Sequence, residues 1–123
     1  MNHVLYGASI PFVIGILLYL RRRGRATPVM LILVPLSMAF MAAWAVAPDI
    51  PRMLGHQELY WRLAQNPHSD IFLWHYSLDQ METSPAWCAV LEKDSSWFAV
   101  GIALEAAALI AVALRELFRQ ENT

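Results

Sequence analysis

Thr27–Ala47 reads TPVMLILVPLSMAFMAAWAVA, 21 residues without a charged side chain. At about 1.5 Å rise per residue, a helix of that length crosses a hydrocarbon core roughly 30 Å thick. Two flanking stretches repeat the pattern: Val4–Leu20 (VLYGASIPFVIGILLYL) carries no charge, and Trp97–Leu114 (WFAVGIALEAAALIAVAL) is interrupted once, by Glu105. A soluble fold would have to bury all three helices on every side, and 123 residues leave too little mass for that. The fold expected is therefore an all-α membrane protein of a single domain, 1–123. Its spans lie near 4–20, 27–47 and 97–114, with an amphipathic, interfacial helical segment over 48–95.

Composition agrees. Hydrophobic residues make up 58% of the chain and charged residues 15%, a displacement from the soluble average toward the membrane class. Nine basic against ten acidic residues leave no excess for nucleic acid. A single cysteine, Cys88, excludes a disulfide scaffold. The lipid bilayer is the partner that the composition itself implies.

Basic residues set the orientation. Arg21, Arg22, Arg23 and Arg25 fill the loop after the first span, and Arg115 and Arg119 follow the third. Segment 48–95 instead holds seven acids against Arg52, Arg62 and Lys93. The positive-inside rule places the arginine loop and the C-terminus in the cytoplasm and the N-terminus outside, as in a bacterial inner membrane. A cleavable leader would carry its charge before the apolar run rather than after it, so the first stretch reads as a retained span. Trp44 and Trp97 at the outer span ends, with Trp61, Trp74 and Trp87 between them, suit an interface. Thr27-Pro28 reads as a helix cap with proline in the first turn, while Pro48 and Pro51 stop the second span.

Chemistry is expected between the second and third spans. Helices are predicted over 53–65 and 70–83, the second capped by Ser69 and lying against the membrane or the bundle. In that second helix His75, Asp79 and Glu82 follow at i, i+4 and i+7 along one stripe, with His68 a heptad earlier. Ile71, Trp74, Leu78 and Met81 form an apolar wedge beside it, expected to be buried. Imidazole with carboxylates is a donor set for a divalent ion such as zinc, iron or manganese, and His56 and Asp49 are further candidate ligands. A membrane-surface helix also needs a polar face, which these residue types supply without any metal, and no HExxH or CxxC motif is present.

Glu105 is the one Asp, Glu, Lys, Arg or His within the three expected spans. Hydrocarbon offers it no water, so a helix contact is required. Gly101 and Ala108, one turn to either side, give it a small-residue face, expected to form the tightest helix approach. Its expected partners are Ser37, Tyr6, a backbone carbonyl or a second polypeptide, through a hydrogen bond rather than an ion pair.

The leading functional reading is a non-catalytic accessory or assembly subunit, associating with other membrane subunits or with itself. The alternative is a metal-dependent membrane hydrolase using the His/Asp/Glu stripe at the outer interface. A haem- or pigment-binding subunit built on His75 is the third.

Overall fold

The computed structural model describes residues 2–84 and 94–121; it is helical, with no strand among the described residues. Three long helices dominate: α1 (Asn2–Arg21), α2 (Pro28–Ala45) and α6 (Asp94–Glu121). Each is long and apolar enough to cross a membrane. Between α2 and α6 lie three short helices, α3 (Ile50–Met53), α4 (Gln57–Ala64) and α5 (His75–Glu82), with 3-10 turns at Ala47–Asp49 and Pro67–Ile71. The bundle thus has a histidine end, where α1 begins and the short helices gather, and an arginine end.

Helix α1 is the central element. A third of its apolar span is buried, against 6% in each of the other two, because it packs along α2 and against α6. Glycine permits the close approach: a Cβ on Gly7 would stand 2.5 Å from the Met41 carbonyl oxygen and 2.9 Å from Ala42 Cα. At Gly101 the added carbon would meet only the end of the Leu5 side chain, at 2.7 Å. The tightest glycine-mediated approach is therefore between α1 and α2, and not at the Gly101/Ala108 face of α6 as the sequence led us to expect. Both α1 and α2 remain helical through Pro11 and Pro35. Thr27 caps α2 by accepting from the Met30 amide at 3.3 Å, as its sequence position predicts.

The arginine end is tied by side chains from opposite ends of the sequence. Arg115 donates to the Tyr19 hydroxyl at 3.1 Å, joining α6 to α1. The turn beneath it runs through Arg23 and Gly24, both at positive φ (57° and 69°).

The stretch 53–65, expected as one helix, divides at Gly55, which takes φ +81° between α3 and α4. The helix expected over 70–83 also divides. Leu73 and Trp74 both adopt left-handed conformations (φ 57° and 58°), a costly state for bulky residues, and α5 starts only at His75. Ser69 does not cap α5; its hydroxyl donates to the Leu63 carbonyl, and Asn66 caps the 3-10 turn by accepting from the His68 amide. The break turns the apolar wedge out of the protein: Ile71 is 70% exposed, Trp74 and Met81 are also exposed, and Leu78 is half-buried. Their burial was expected from an unbroken helix.

A candidate metal centre at the histidine end of the bundle

Three side chains remote in sequence converge where α1 begins. His3 comes from the first turn of α1, and His75 and Asp79 from successive turns of α5. One donor atom from each of the three lies within 4.8 Å of the others. Asp49, in the 3-10 turn after α2, approaches from the side.

Local structure explains how His75 is aimed. The left-handed pair Leu73-Trp74 reverses the chain so that α5 begins against the end of α2. Asp70 then holds the new helix from outside: its carboxylate accepts from the Ser77 hydroxyl at 2.6 Å and from the Ser77 amide at 2.8 Å. This satisfies a first-turn N–H that α5 cannot pair internally. The hydroxyl and amide of Ser77 keep the Asp70 carboxyl below its ordinary pKa. Trp44 fixes the same turn by donating from its indole to the Ile71 carbonyl at 3.1 Å, and it packs on Phe72 at 5.0 Å between ring centroids.

The result is a fully buried imidazole, with His75 at 0% exposure. Its Nδ1 lies 3.0 Å from the Ala45 carbonyl oxygen. A carbonyl only accepts, so Nδ1 carries a proton, and Nε2 is the ring nitrogen turned toward the carboxylates. Nε2 faces Asp49 at 3.7 Å and Asp79 at 3.6 Å, beyond hydrogen-bond range, and has no hydrogen-bond partner. Donor atoms around a tetrahedral ion, each bonded at about 2.1 Å, stand roughly 3.4 Å apart. The observed spacing is close to that, so a cation held between Nε2 and the two carboxylates would meet donor atoms on three sides. The His75 ring is also stacked on His3, with centroids 4.2 Å apart. His3 Nε2 is 2.8 Å from Asp79 Oδ1, while its buried Nδ1 has no partner. A metal-binding histidine usually donates its other ring N–H to a carbonyl or carboxylate, as His75 Nδ1 does to Ala45.

Of the ligands that the sequence suggested, the structure brings His75, Asp79 and Asp49 together. It leaves the others apart. His56 is exposed at the start of α4, beside Glu58 and Arg62, and His68 is exposed in the 3-10 turn. Glu82 is half-buried, one turn beyond Asp79, and lies outside the group of three donors. His3 went unrecognised because it immediately precedes the first apolar run and has no polar neighbour at helical spacing. The signal available was its depth: a histidine at the mouth of a span shares a level with the segment that follows α2.

Trp44, Trp61 and Trp74 are all exposed in part at this end, and Trp87 and the Trp97 side chain lie outside the described residues. Glu105 is buried at 7% exposure and accepts from the Ser9 hydroxyl at 2.6 Å, a partner on α1 that the sequence did not single out. Ala108, one turn further along α6, is half-buried. No protein-family model matches this chain, and neither does any curated protein or any solved structure.

Proposed function

We propose that this chain is a metal-dependent membrane enzyme whose centre, built on His3, His75, Asp79 and Asp49, performs hydrolytic chemistry at the outer face of a bacterial inner membrane. The observation that carries the reading is the His75 imidazole: fully buried, its Nδ1 proton engaged by Ala45, its Nε2 unpartnered and facing two carboxylates. A divalent ion bound there supplies an activated water at neutral pH. Asp49 and Asp79 are each about one-third exposed, so solvent and substrate have a path to the cluster. The arginines at the other end of the bundle support the orientation, with the N-terminus outside and the C-terminus cytoplasmic. A probe on a cysteine placed at Arg23, in a Cys88→Ser background, then reacts only from the cytoplasmic side.

Metal analysis of the purified protein tests the centre. One equivalent of a divalent metal in the wild type, absent from His75→Ala, is expected. A wild type that neither retains nor takes up a divalent ion overturns the reading.

The accessory-subunit reading draws on a different observation. Ala103, Ala106 and Ala107 form an exposed small-residue face on α6, suited to close helix association. It does not draw on the His75 cluster, and we rank it second. Haem ligation by His75 is disfavoured by the His3 ring stacked on it.

A further inference from the structure

Beside the candidate centre, a cleft of about 660 Å³ runs down the flank of α1, lined by Tyr6, Ser9, Ile10, Val13 and Ile14 and roofed by α5 with Trp74, Ser77 and Leu78. Its volume falls within the range of about 300–1,000 Å³ usual for small-molecule sites. Two of its polar side chains are already engaged elsewhere: Ser9 donates to Glu105 and Ser77 donates to Asp70. Neither hydroxyl has its proton free for an occupant. From Tyr6 to Ile14 the cleft follows α1 for roughly 12 Å, along a helix apolar enough to sit in hydrocarbon. Its roof is continuous with the polar cluster, because Trp74 and Leu78 immediately precede His75 and Asp79 in the chain. An apolar cleft whose roof helix also carries the polar cluster is complementary to an amphiphile. A partner helix has no use for the polar end.

We infer that this cleft holds an acyl chain of a membrane glycerophospholipid, with the headgroup reaching the His3/His75/Asp79 cluster. The substrate class of the proposed hydrolase is then a lipid. The assignment to a substrate rests on the metal-centre reading, whereas occupancy by the chain rests on the cleft alone. Val13 and Ile14 face the chain, and Trp74 covers its upper end.

Native mass spectrometry of the protein released from nanodiscs of phosphatidylethanolamine and phosphatidylglycerol separates the two. The wild type is expected to retain one lipid per chain. Val13→Trp, and independently Ile10→Trp, fill the cleft and are expected to lower that retention about tenfold, equivalent to about 1.4 kcal/mol. Ile32→Trp, an equally large change on the exposed face of α2 and outside the cleft, leaves it unchanged. Metal content, measured on the same samples, stays at the wild-type value in Val13→Trp. His75→Ala loses metal and keeps the lipid. Equal lipid retention in the wild type and both filled variants overturns the inference, as does a wild type that carries no lipid or carries a second polypeptide that the filled variants lose. A wild type without metal whose lipid is displaced by the tryptophans removes the hydrolase and leaves the lipid site standing.

Discussion

His3 and Asp79 stand 76 positions apart in the chain, and His3 Nε2 lies 2.8 Å from Asp79 Oδ1. This contact ties the first turn of α1 to α5, an eight-residue helix too short to persist without tertiary support. His3→Ala is expected to loosen α5 by about 0.5–1.5 kcal/mol, the net worth of a hydrogen bond to a partly exposed carboxylate, read as faster amide exchange over residues 76–82. Asp49→Asn, which leaves that tether intact, is expected to keep the exchange pattern and lower metal affinity by at least about tenfold. Unchanged affinity in Asp49→Asn removes Asp49 from the ligand set.

Gly7→Ala places a carbon against the backbone of α2, which cannot move aside as a side chain can. Overpacking of that kind is expected to cost about 1–3 kcal/mol in thermal or denaturant unfolding in detergent. Gly101→Ala meets only the flexible end of Leu5 and is expected to cost less. The reverse order would place the tightest helix contact on α6.

For Glu105 the contact with Ser9 sets the expectation. Glu105→Gln preserves an acceptor and is expected to be nearly neutral, while Glu105→Leu loses about 0.6–2 kcal/mol, the range for interhelical hydrogen bonds in membranes. In a double-mutant cycle Ser9→Ala should then add nothing to Glu105→Leu. Full additivity would show that Glu105 acts through another partner.

Asp70 gives the turn before α5 a pH dependence of definite sign. Folding lowers its pKa, so the ionised carboxylate is favoured in the folded state. Its contribution is complete above the ordinary value of 3.8 and fades as pH falls through the lower folded value. Amide exchange at Ser77 is expected to accelerate over that acidic interval in the wild type. Asp70→Asn is expected to remove the dependence, and an unchanged profile in that variant would assign it to another group.

The three long helices were legible because charge-free runs of that length admit few alternatives; the structure extends the third to 94–121. Helix facing was less legible. A span apolar on all sides carries no periodicity, so nothing in the sequence chose Ser9 over Ser37 as the partner of Glu105. The break at Leu73-Trp74 runs against the local preference of both residues, and long-range contacts hold it, among them the Trp44 indole on the Ile71 carbonyl. Spacing within one helix correctly pairs His75 with Asp79. It is blind to His3, which reaches the cluster only through the packing of α1.

The distance along the chain between His3 and Asp79 also has a bearing on biosynthesis. At about 5–20 residues per second, Asp79 is added roughly 4–15 s after His3. Until Asp79 is added, the nascent α1 carries the His3 imidazole without this partner. A chain that stops after α2 and before residue 79 therefore has two apolar helices and a polar cluster lacking both of its α5 members.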